Sequence, residues 1–194
     1  MRRNDRNRIR QEPLVPAGKQ TMLAGNRGIK SVGIEQFIER WTHSDYPPES
    51  VSLSDLEAAE RELGVRLPTQ YRDAIVRAGA PRPTIALLDS IVDNDLGLHD
   101  VSDFLSPAEL VKMTFAARGA GMPQELIAFA IDCMGNMFCF DAVKLQTNAS
   151  DQQAIWFFDH DFCTVEQEAP DFGAWIDRFC DVEPSAGAMD DDDD

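Results

Sequence analysis

The chain of 194 residues lacks most of the marks of a membrane protein or an enzyme. No window holds the ~18 consecutive apolar residues of a membrane-crossing helix. The N-terminus is basic but has no apolar segment of the kind a secretory signal needs. The expectation is therefore a cytoplasmic protein that moves elsewhere only when a partner carries it. Cysteine is scarce: Cys133, Cys139, Cys163 and Cys180 are separated by five, 23 and 16 residues. No C-x-x-C pair results, which argues against a zinc site or a redox motif. Each lies in or beside an apolar run, where a free thiol behaves as a small hydrophobe, and reduced thiols fit the same compartment. The three histidines, His43, His99 and His160, lie in different segments. No serine has a G-x-S-x-G setting, and neither a phosphate loop nor a dinucleotide fingerprint is present. No cofactor and no metal is expected, and nothing supports an enzyme.

Charge is present in quantity and unevenly placed. Residues 1–30 carry eight basic and two acidic side chains, a net +6; the other 164 residues carry ten basic and 32 acidic, a net −22. Five of those acids are the terminal Asp190–Asp194 run. A body this acidic repels phosphate backbones and steers a basic protein toward itself. It also favours solubility, so the charge alone does not name a partner. Residues 1–30 are read as a disordered arm, an unstructured extension rather than a nucleic-acid or membrane arm. The tail over 184–194 is expected to be disordered too, leaving one domain over 31–183, with an apolar fraction of 43% across the whole chain.

Within that domain, apolar spacing marks the elements. Ile34, Phe37, Ile38 and Trp41 recur at i, i+3, i+4 and i+7, one face of a helix over 31–42. A second helix over 51–63 has Ser52 as N-cap, Asp55 in the capping-box place, and Gly64 where a left-handed ending needs it. Leu67-Pro68 opens a third, with Tyr71, Ala74, Ile75 and Ala78 inward and Gly79 at its end. Ser106-Pro107 starts another, with Leu110, Val111, Thr114 and Phe115 inward and Gly119 and Gly121 ending it. Phe172, Trp175, Ile176 and Phe179 give a last helix behind Asp171. Short apolar runs at Ile85–Val92, Leu126–Ile131, Met137–Phe140 and Ile155–Phe158 read as strands. The expected fold is α+β, a largely antiparallel sheet flanked by helices.

The order of Glu57, Glu60, Leu63-Gly64, Leu67-Pro68 and Tyr71-Arg72 resembles the opening signature of the SUKH superfamily, the Smi/Knr-like proteins. That family's turn after the third helix is Asn-Gly-Gly-like; here it is Ala78-Gly79-Ala80-Pro81, with only the glycine kept. Pro123–Ala130, Asp132, Gly135-Asn136 and Phe138–Asp141 are similar to the family's central hairpin. Phe158–Asp161 resembles its third-strand ending, and Phe172, Trp175 and Ile176 its closing helix. The resemblance spans about 31–181. It implies an α+β domain that binds other proteins: an immunity protein neutralising a cognate toxin, or alternatively a regulatory scaffold of the cell-wall-regulator kind. Nuclease toxins must be basic to hold phosphate, so an acidic inhibitor suits them.

Several constellations were weighed as chemistry. In a strand, Asp159 and Asp161 share one face and His160 takes the other, so the three diverge rather than converge on a metal. Asp93-Asn94-Asp95 with Gly97 hints at a calcium loop, but the glycine comes one place early and Phe104 stands where the closing Glu belongs. Asp132 and Asp141 bracket the central hairpin and read as turn and strand-end residues rather than an acid–base pair. The expected site is a rim of exposed acids beside the sheet, Asp132, Asp159 and Asp161 with Asp93, Asp95 and Asp100. A basic protein toxin is the expected partner, with no part for nucleic acid or membrane.

Overall fold

Five strands pair in chain order: β1 (Asp103–Phe104), β2 (Leu126–Ile131), β3 (Met137–Asp141), β4 (Ile155–Asp159) and β5 (Thr164–Ala169). Every neighbouring pair is antiparallel. The structure is a computed structural model and describes residues 33–147 and 153–185. The basic arm over 1–30 and the acidic tail from 186 onward lie outside the described residues. Around the sheet run α1 (Ile34–Trp41), α2 (Leu53–Leu63), α3 (Thr69–Ala78), α4 (Ile85–Asp93), α5 (Pro107–Gly119), α6 (Ala142–Thr147) and α7 (Phe172–Cys180).

Strand alternation sorts the two faces of the sheet. Phe138 and Phe140 point to one side, where Phe138 meets Trp175 and Phe140 meets Tyr71. That side is an aromatic core. Trp175 also touches Phe104, Phe129, Phe172 and Phe179, and Phe37 joins from α1. Each such ring buries roughly 1.5–3 kcal/mol of hydrophobic free energy. Cys139 points the other way, with its thiol 3.9 Å from the Met122 sulfur just beyond α5. On the same side Thr114 of α5 accepts a hydrogen bond from the Ala128 amide at 3.1 Å.

Local chemistry explains where the helices begin and end. Ser52 accepts from the Asp55 amide at 3.1 Å, and Gly64 closes α2 at φ 70°. Pro68 stands at the N-cap of α3, one place earlier than a first-turn proline. Gly79 has φ 85°, and a Cβ there would lie 2.6 Å from the Glu49 carbonyl. Only glycine lets Glu49 and Ala80 form their two backbone hydrogen bonds, at 2.8 and 2.9 Å. In α5 the Glu109 carboxylate reaches back to the Ser106 amide at 3.0 Å. Asp171 accepts from the Ala174 amide at 2.9 Å and starts α7.

Two expectations are corrected, and one strand is added. Ile85–Val92 is the helix α4, not a strand. Leu87 and Ile91, four apart, are buried, while Ile85 and Val92 are exposed. Period 3.6 therefore won over the apparent continuous run. Phe115 is 48% exposed and not inward, because Leu110, Val111, Thr114 and Ala117 already fill the buried side of α5. Thr164–Ala169 is a strand that its polar sequence did not signal. Only Ala169 in it is buried.

Candidate functional site

The two hairpins of the sheet end side by side. After β2, Asp132 organises the turn: one of its oxygens accepts from the Met134 amide at 2.9 Å and the Asn136 amide at 2.7 Å. The other accepts from the Asn136 side-chain amide at 2.8 Å. Gly135 adopts φ 90° between them. The Asn136 side-chain oxygen Oδ1 then accepts from the His160 amide at 3.2 Å and lies 2.9 Å from His160 Nδ1. After β4, Asp159 accepts from the Asp161 and Phe162 amides at 2.9 and 3.0 Å. A continuous hydrogen-bond chain thus joins the β2–β3 turn to the β4–β5 turn.

A strap from Leu98 to Ser102 ties the same end together. The Asp100 carboxylate accepts from the Cys133 amide at 3.1 Å, and from its thiol at 3.4 Å. Burial, with Asp132 nearby, raises the Asp100 pKa, although the bonds from Cys133 oppose the shift. Desolvation, then Asp100, pushes the Cys133 thiol up to about 11. A thiol held protonated is no nucleophile at neutral pH. The preceding residue, His99, stacks on Phe157 with ring centroids 3.7 Å apart and planes 6° from parallel. Its Nδ1 lies 3.0 Å from Glu168 and its Nε2 lies 3.7 Å from Glu166.

Of the six expected rim residues, Asp100, Asp132, Asp159 and Asp161 meet at this end. Their exposure differs from expectation. Asp100 and Asp132 are buried and spent on the backbone of the turn, because a carboxylate there satisfies amides that would otherwise be orphaned. Asp159 is half-buried and Asp161 exposed. Asp93 and Asp95 sit at and beyond the end of α4, both exposed, with Asp95 at φ 50°. Among the described residues no hydrogen bond or ion pair links these two to the rim. The strand ends at Asp159, so Asp161 comes within 3.4 Å of His160 Nε2 instead of diverging from it. Asp141 lies at the far end of β3, opposite Leu126, and caps α6 through the Val143 and Lys144 amides. It and Asp132 do not form an acid–base pair.

What the sequence did not suggest is the triad of His99, Glu166 and Glu168. Glu166 and Glu168 are neighbours on one face of β5, but His99 comes from a segment more than 60 residues earlier, so no local spacing reveals the triad. One ligand atom from each lies within 4.8 Å of the others, the reach of one cation. The triad is already satisfied internally, since Arg178 of α7 pairs with Glu168 and the two nitrogens of His99 face different carboxylates. Its evident work is to fasten the strap to β5.

Around the turns the surface is acidic with apolar tips. Residues 145–177 contain seven acids and no Lys or Arg. Phe162 is 77% exposed on one turn and Met134 69% on the other. This combination, large apolar side chains set among exposed acids such as Asp161 and Glu166, suits protein recognition rather than catalysis.

The SMI1 / KNR4 family model (SUKH-1) matches residues 50–178, which include both turns and all of β5. The chain belongs to the SMI1 / KNR4 family. No curated protein matches it. SMI1 / KNR4 domains bind partner proteins and are generally non-catalytic, acting as immunity or regulatory proteins. The opening signature of this SMI1 / KNR4 chain proves architectural: Glu60 accepts from the Leu67 amide at 2.7 Å and pairs with Arg72 at 3.0 Å, with both side chains buried. The pair fixes the α2–α3 connection.

Proposed function

We propose that this chain is an immunity protein that binds and neutralises a basic cognate protein toxin, of the nuclease class, through the acidic end of the sheet. The observation that carries the reading is the absence of Lys and Arg from residues 145–177, together with the exposed Phe162 on the turn they build. A nuclease surface is cationic because it holds phosphate. Exposed acids speed its capture, and an exposed aromatic supplies an anchor that charge alone does not.

The test is co-expression with the toxin-like product of the neighbouring reading frame, followed by capture at low and raised salt. The expected result is a salt-sensitive complex that restores growth of cells making the toxin. Replacing Phe162 by Ala should weaken capture while the fold is kept. A toxin captured equally well with Asp161→Lys and Phe162→Ala both in place would remove this surface from the reading. Failure to capture any basic partner would remove the reading itself.

A further inference from the structure

The last strand of the sheet has a neighbour on one side only. β5 pairs with β4, and among the described residues no strand follows it in the sheet. In any strand, alternate residues direct N–H and C=O groups away from a single neighbour. An edge of this kind is a template for another strand. Edges are usually blunted by shortness, lysine or proline. β5 is six residues long and contains no Lys and no Pro; its far end is bulged at Glu168, whose carbonyl accepts from Arg178 at 2.7 Å, but Thr164 to Gln167 are exposed.

Its charge selects the occupant. Glu168 is neutralised by Arg178 and its side chain is 7% exposed. Glu166 stands 64% exposed, 3.7 Å from His99, and Asp161 is 69% exposed at the turn end. A second copy would bring its own Glu166 and a second −22 body, and like charges across a strand pair are destabilising. We infer that β5 is a docking edge that adds one extended, basic strand of a partner protein and discourages pairing with its own copies. The backbone of β5 supplies the hydrogen bonds, and Glu166 with Asp161 selects Lys or Arg at alternate positions. The strap braces this strand from behind through His99, so the edge is held in shape before a partner arrives. This inference rests on the protein-binding reading above and names how the partner is held.

The probe is a synthetic peptide of about seven residues alternating Lys with Val, the length of an ordinary strand. It is titrated into the full chain and followed by amide NMR and hydrogen exchange. The expected result is shifts centred on Thr164–Glu168, with alternate β5 amides gaining protection. Glu166→Lys should weaken binding about fivefold, the size of one exposed charge contact. The same peptide N-methylated along its length keeps every charge but loses its donors, and it should not bind. Equal binding of the methylated peptide, shifts centred on Asp89–Asp95, or no effect of Glu166→Lys would each overturn the inference. A toxin complex with β5 amides left unprotected would overturn it as well while sparing the immunity reading. If no toxin is found, the peptide result still decides the edge.

Discussion

At one edge of the sheet, β1 is two residues long and enclosed. Phe104 is 1% exposed, its amide donates to the Pro81 carbonyl at 3.1 Å, and its ring touches Phe37 and Trp175. Arg82 lies 3.0 Å from Asp103 and 3.5 Å from Glu109, so one cation is shared by both acids there. At the other edge, β5 is three times as long and bare, its acids only partly matched. The same antiparallel pairing makes both. The difference teaches that the first edge is a piece of the core, while the second adds little to it. A fold that encloses one edge and leaves the other open has a surface free to be shaped by binding.

The largest expected effect breaks the enclosed edge. Phe104→Ala removes a ring from the aromatic cluster and should cost ~3–5 kcal/mol in a denaturant melt. Next comes the join between the hairpins. Asp132→Ala leaves the Met134 and Asn136 amides without their acceptor and should cost ~1–3 kcal/mol, with faster hydrogen exchange confined to the β2–β3 turn. A smaller effect appears in the pH dependence. Burial raises the Asp100 pKa above its ordinary 3.8, so between the two values the folded protein holds more proton at this site than the unfolded chain does. The stability contributed by Asp100 is full below the ordinary value and is lost as pH rises through the raised one. Asp100→Asn, which cannot ionise, should therefore gain melting temperature on the wild type as pH rises from about 4 to 7. Smallest of all, Val165→Ala and Glu166→Gln on β5 should each stay within ~0.5 kcal/mol of wild type. A loss at Val165 as large as that at Phe104 would erase the contrast between the edges.

The core was largely legible in the sequence, because its side chains are apolar at regular spacing. The buried face of α1, the caps at Ser52 and Asp171, the stop at Gly64, and β2 to β4 all lie where local chemistry puts them. α4 is not legible in the sequence because Ile85 and Val92 are exposed apolar residues that disguise its 3.6-residue period as a continuous run. β5 gave no signal because a strand exposed on both faces has no alternation to show. The gathering of Asp100, Asp132, Asp159 and Asp161 was partly legible, as acids flanking strands. Their division of labour was not, because whether a carboxylate meets water or a buried amide depends on the neighbouring turn. His99 joins Glu166 and Glu168 only through the path of the strap, which no local pattern encodes.

Thr164 to Gln167 neither fill the core nor cap a helix. Substitutions there carry almost no folding penalty, so this stretch can drift among descendants while Trp175, Phe104 and Glu60 hold the architecture still. If β5 docks a partner strand as proposed, these four adjacent positions can change what it binds without rebuilding the domain.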